Sequence, residues 1–166
     1  MNMRLRKKNN FLVLFLFFGF FASAQKPAVY KINDLLKRIH NNSDTIYVVN
    51  FWATWCKPCV AELPDFESFN RQNKPALVKI ILVSMDFKED LDKKLVPFLE
   101  KNKYSSEVIL LDEVNGNDFI DKINKKWGGA IPATYFTTKN KKKEELFEKK
   151  VSLELLNGTM NSFISK

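Results

Sequence analysis

Cysteine and histidine are scarce in this chain: Cys56, Cys59 and His40 are the whole supply in 166 residues. A structural metal site wants four ligands, and a Cys-x-x-Cys pair brings two. His40 lies in a separate amphipathic stretch, so no metal site is expected within one chain. A purely structural staple is also a poor use of the pair, because a bridge over a two-residue gap constrains the unfolded chain very little. There is no repeat and no long Gly/Ser stretch, so no internal domain boundary is drawn. The apolar run at residues 11–21 is interrupted only by Gly19 and falls short of the ~20 residues that span a bilayer as a helix. The basic run Lys139, Lys141, Lys142 and Lys143 has no interleaved aromatics. That argues for a solvated hairpin tip and against nucleic-acid binding.

What the chain does have begins with residues 1–24. Arg4, Arg6, Lys7 and Lys8 precede the apolar run, and Ala22-Ser23-Ala24 supplies a small-x-small cleavage pattern. The expectation is an export signal with Gln25 as the first mature residue, and an uncleaved N-terminal anchor is the alternative. No cysteine lies at the cleavage site, which argues against a lipid anchor. Removing four basic residues and no acid would take the formal charge from +8 to +4. Residues 25–166 are long enough for one domain with a real core.

Periodicity predicts a helix through Ile32, Leu35, Leu36 and Ile39, ending near Asn41-Asn42. Residues 45–52 and 77–85 read as strands buried on both faces. A helix is expected from Cys56 to about Gln72 with a kink at Pro64, and another over residues 92–103. Residues 108–111 read as a third strand and 118–127 as a helix ending at Gly128-Gly129. Residues 133–138 and 146–151 form a closing hairpin, and Ser152 caps a last helix reaching Ile164. This order predicts an α/β fold: a central mixed β-sheet with helices on both faces.

Trp55-Cys56-Lys57-Pro58-Cys59 is the chemically informative motif. Two thiols three positions apart at a helix start can close a short disulfide. The first sits where the helix dipole and Lys57 favour its thiolate, which is the nucleophile in thiol–disulfide exchange. Cys56 is therefore expected to attack and Cys59 to resolve. Pro58 falls where a first-turn proline costs the helix little.

Phe51-Trp52-Ala53-Thr54-Trp55-Cys56-Lys57-Pro58-Cys59, the β-α-β order and Ile131-Pro132-Ala133-Thr134 together resemble the thioredoxin fold. Glu62-Leu63-Pro64 after the second cysteine, and residues 127–134, resemble the exported TlpA/ResA-type thiol–disulfide oxidoreductases. The likeness covers roughly residues 30–164. It implies that Glu62 exchanges a proton with Cys59, although an exposed glutamate stabilised in an early helix is the bland alternative. It also implies a cis Pro132 facing the disulfide, with the Ile131 backbone pairing with an extended substrate; a trans proline starting an edge strand is the alternative. Trp55 joins the apolar rim that a partner covers, Lys57 and Pro58 tune the potential, and Trp52 and Phe51 belong to the core.

One departure matters: Asn50 stands where cytosolic thioredoxins carry a buried aspartate, and an amide cannot shuttle a proton. The resemblance further implies no cofactor beyond the redox-active Cys56–Cys59 disulfide. Expected partners are cysteine-containing exported proteins, such as apocytochrome c, and a membrane thiol–disulfide electron donor. Membrane contact is expected only if the N-terminal segment stays uncleaved, and the location is periplasmic or cell envelope. The leading expectation is a reductase. An oxidant or isomerase, and a redox-inactive binding module, remain alternatives. Copper-delivery relatives use Cys-x-x-x-Cys with a downstream histidine, and a peroxidase uses Thr-x-x-Cys; neither pattern occurs here. His40 is expected at the surface near a helix end, and Asn157-Gly158-Thr159 is a weak glycosylation sequon.

Overall fold

The computed structural model describes residues 26–41, 44–73, 77–138 and 141–165. The export segment, Gln25, Asn42 and Lys139, on which expectations were placed above, lie outside these. Strand β2 (Ile46–Trp52) is the centre of the sheet and is buried along its whole length. Its side chains alternate between faces, as a strand's must. Val48 and Trp52 enter one core with Leu63, Phe66 and Phe69, while Tyr47, Val49 and Phe51 enter the other with Leu35 and Ile39. Covering both faces explains why the run is apolar without polar alternation.

The six-stranded sheet has the order β1-β4-β3-β2-β5-β6. β1 (Ala28–Tyr30), β4 (Glu107–Leu111), β3 (Val78–Ser84) and β2 pair in parallel. β5 (Ala133–Thr137) and β6 (Glu144–Phe147) add an antiparallel edge. Helices α1 (Ile32–Ile39) and α5 (Ile120–Ile123) cover one face. α3 (Leu63–Gln72), α4 (Val96–Asn102, entered through a π-helical turn at Leu91–Leu95) and α6 (Leu153–Ile164) cover the other. Ser152 caps α6 as expected, its hydroxyl accepting from Leu155 N. The architecture is the α/β thioredoxin-like sandwich.

Several boundaries differ from the sequence reading, each for a physical reason. β1 was not anticipated: three residues carry no periodicity, and the strand exists through its pairing with β4. The long helix after Cys56 is two helices, α2 (Lys57–Val60) and α3, separated at Ala61 and Glu62. Pro64 has no N–H to donate to a carbonyl one turn earlier, so it occupies the first turn of a new helix rather than kinking an old one. The helix expected over residues 118–127 is one turn, because Asn124 adopts extended backbone and its side chain accepts from Lys126 N. β6 ends at Phe147, short of Val151.

The lysine run is not simply solvated. Lys141 Nζ donates to the carbonyls of Lys122 and Ile123 at the end of α5, and Lys143 Nζ to that of Ser162 near the end of α6. Cations at helix C-termini are favourably placed. His40 ends α1 but is half-buried rather than at the surface; burial first, then Lys141, holds its pKa below the usual histidine range. Asn157 and Thr159 lie within α6, with Thr159 buried. No helix among the described residues is long and apolar enough to cross a membrane.

A candidate dithiol–disulfide site at the end of the central strand

β2 delivers the chain to the carboxyl end of the central strands, and residues 53–56 turn sharply into α2. Two anchors hold the turn. Cys56 N donates to Ala53 O at 3.1 Å, and Asp86, just past β3, accepts from Thr54 N (3.1 Å) and Thr54 Oγ1 (2.6 Å). Asp86 is buried and also accepts from Ser84 Oγ at 2.7 Å. The carboxylate thus pins the loop before Cys56 to the end of the neighbouring strand. None of Thr54, Ser84 or Asp86 was singled out from the sequence. The available signal was Asp86's place just outside the carboxyl end of a parallel strand, where sites in α/β sheets gather.

Cys56 and Cys59 are joined in a disulfide with a Cα–Cα distance of 5.3 Å. Cys56 is 6% exposed and Cys59 fully buried, so only the first sulfur offers an edge to a partner. Cys56 caps α2 with extended backbone. α2 is a single turn, so a few local amides, rather than the dipole of the 17-residue helix expected, face Cys56.

Trp55 (61% exposed), Lys57 and Pro58 stand around Cys56 on the outside. Phe87 is 67% exposed and follows the Asp86 anchor, which places it beside the same loop. Sequence reasoning missed it, since one phenylalanine after a strand reads equally well as core. Trp52 and Phe51 are fully buried.

Across from the disulfide, the Ile131–Pro132 bond is cis. The Ile131 carbonyl lies 3.9 Å from Cys56 Sγ; Ile131 is half-buried and Pro132 buried. The loop before it is held by Trp127, packed on Phe51 with ring centroids 4.5 Å apart and planes tilted by 34°, whose Nε1 donates to Ala130 O. Gly129 has φ +90, and a Cβ there would lie 2.7 Å from Ile120 Cδ1. The positive φ is what favours glycine here; Ile120 Cδ1 is the tip of a side chain that can shift.

Glu62 sits behind Cys59, its N–H donating to Cys59 O at 3.1 Å. It is fully buried, at the break between α2 and α3 rather than on a continuous helical face. One carboxylate oxygen accepts from Asn50 Nδ2 (2.8 Å) and the other from Val151 N (2.8 Å). Burial raises its pKa to about 7, against the opposing pull of the Val151 and Asn50 hydrogen bonds and of Lys150. Asn50 also donates to Thr134 Oγ1 at 3.2 Å. The position occupied by an aspartate in cytosolic thioredoxins therefore touches the group that titrates here. Among the described residues, no cluster of three or more His, Cys, Asp or Glu is arranged to hold a metal ion.

Comparison with known proteins agrees with this geometry. The AhpC/TSA family model matches residues 25–144. The thiol-disulfide oxidoreductase ResA of Oceanobacillus iheyensis is 31% identical over 114 residues, 69% of this chain and 55% of that protein. The sporulation thiol-disulfide oxidoreductase A of Bacillus subtilis is 30% identical over 95 residues, 54% of this chain and 57% of that protein. The chain thus spans little more than half the length of these relatives. The crystal structure of a thioredoxin-related protein from Neisseria meningitidis serogroup B superposes with a TM-score of 0.65 at 21% identity, covering 76% of this chain and 90% of that one. With a Cys56–Cys59 disulfide on a thioredoxin-like sheet, the chain belongs to the AhpC/TSA family and is similar to the ResA-type thiol-disulfide oxidoreductases.

Proposed function

We propose that the chain is an exported protein thiol–disulfide oxidoreductase working as a reductase of cysteine-containing envelope proteins. The single observation that carries this reading is the pairing of an edge-accessible Cys56 with a buried Cys59, the first sulfur 3.9 Å from the Ile131 carbonyl. In the reduced protein, Cys56 thiolate attacks one sulfur of a client disulfide. A mixed disulfide forms and one client thiolate leaves. Cys59 then gives its proton to Glu62 and attacks Cys56 Sγ. The mixed disulfide breaks, the second client thiolate leaves and takes up a proton, and two electrons have passed to the client. The protein is left in the oxidised form described above.

A group titrating near 7 suits the proton step, because it can accept and return a proton at working pH. Trp55, Lys57, Pro58 and Ile131 form the client-facing rim, where the Ile131 backbone pairs with an extended segment in the manner of strand addition. Turnover requires re-reduction by a membrane thiol–disulfide donor. The basic and apolar residues 1–24 support delivery to the periplasm or cell envelope, and apocytochrome c before haem attachment is a fitting client.

The test is insulin reduction together with the reduction potential of the pair. Cys56→Ser should abolish turnover, while Cys59→Ser should accumulate mixed disulfides with clients. Undiminished turnover by Cys56→Ser would remove the assignment. A potential near thioredoxin's (about −270 mV) agrees with a reductase; one near DsbA's (about −120 mV) would reverse the direction of electron flow.

A further inference from the structure

Glu148 stands immediately after β6, exposed, with nothing in its sequence context to distinguish it from its lysine neighbours. Its carboxylate nevertheless accepts two backbone hydrogen bonds from one loop: Gly128 N at 3.0 Å and Ala130 N at 2.8 Å. That loop runs into Ile131 and the cis Pro132, and its Ala130 carbonyl is already taken by the Trp127 indole. We propose that Glu148 is a positioning residue that presets the loop at residues 128–132, so that the Ile131 backbone is ready to meet a protein client beside Cys56. The inference rests on the exchange reaction proposed above.

Gly128, Gly129 and Ala130 have small or no side chains, so the loop cannot hold its shape by packing alone, and glycine loses the most freedom on being ordered. Three restraints replace packing. The indole fixes the Ala130 carbonyl, Ile120 lies against Gly129, and the Glu148 carboxylate gathers the two amides on either side of Gly129. Only the last comes from outside the 116–132 segment. It arrives from the far end of the β5–β6 hairpin, whose first strand starts at Ala133, directly after Pro132. Clamp and client-facing backbone are thus two ends of one hairpin.

A client that pairs with Ile131 benefits from a loop already in place, because ordering the loop at binding would cost affinity. A small disulfide that touches only Cys56 does not pair with the loop. Glu148 lies outside both cores and makes no part of the Trp127–Phe51 contact, so its replacement should leave the fold's main contacts in place.

The experiment compares full-length wild type, Glu148→Ala and Glu148→Gln on insulin and on bis(hydroxyethyl) disulfide, with excess dithiothreitol re-reducing the Cys56–Cys59 pair and the protein-free rate subtracted. For Glu148→Ala, the insulin-to-small-disulfide ratio of kcat/KM should fall roughly tenfold, carried by KM, from the loss of two charge-assisted hydrogen bonds. Glu148→Gln keeps one acceptor oxygen and should fall roughly threefold. An unchanged ratio in Glu148→Ala, whether both rates hold or both drop together, overturns the proposal. Wild-type protein inactive on both substrates would instead remove the exchange reaction on which it rests.

Discussion

The buried Glu62 makes a prediction about folding that needs no substrate. Its carboxyl is fully buried and titrates at about 7, against an ordinary 4.5. The folded protein therefore holds this proton more tightly than the unfolded chain does. Between pH 4.5 and 7 the native state binds more protons, so this group's contribution to stability falls as pH rises through that window. The separation corresponds to about 3 kcal/mol between the two ends.

Glu62→Gln removes the titration while keeping the shape. The glutamine oxygen can still accept from Val151 N. Its NH2 then faces Asn50, whose Oδ1 lacks a partner among the described residues and accepts once that amide reverses. Urea denaturation of the oxidised protein should be measured from pH 4 to 8 for both forms. The stability of Glu62→Gln relative to wild type should rise by about 3 kcal/mol across the range, a midpoint difference of about 1 M urea or more. Subtracting the two profiles cancels the other titrating groups, which are common to both. Parallel profiles would refute the reasoning: the carboxyl would then be no harder to ionise folded than unfolded.

In insulin reduction, if Glu62 takes the proton of Cys59 as proposed, the same variant should lose an inflection near pH 7; a profile identical to wild type would leave the residue without a role in proton transfer. Asp86→Ala should cost about 3 kcal/mol, read by denaturation, because Thr54 N, Thr54 Oγ1 and Ser84 Oγ lose their shared acceptor in a buried setting. A loss below about 0.5 kcal/mol would show that the loop before Cys56 is held by other means. Two glycines should respond in opposite directions to alanine in thermal melts. Gly129→Ala should destabilise by about 1–2 kcal/mol, since φ is +90 and the new methyl meets Ile120. Gly158→Ala, inside α6 with open space around it, should stabilise by about 0.5–1 kcal/mol.

What the sequence determined by itself is whatever depends on local order. The run from Ile46 to Trp52 could only be a strand covered on both faces, and Trp55-Cys56-Lys57-Pro58-Cys59 at its end could close its own disulfide because the two residues are one turn apart. Burial of Trp52 and Phe51 and the Ser152 cap were legible for the same reason, each following from periodicity or from a neighbour within a few positions, whereas the exposed Trp55 was read through the family resemblance. Tertiary structure decided the rest, where the partner is distant in the chain. Glu62 acquires its raised pKa from burial beside Asn50 and Val151, 12 and 89 positions away. Asp86 reaches Thr54 across 32 residues, and Glu148 reaches Ala130 across 18. A carboxylate in a sequence looks the same whether it ends in water or against two backbone amides. Only the sheet order, which sets the ends of β2, β3 and β5 together, says which of the chain's acids lie next to the disulfide and which remain solvated.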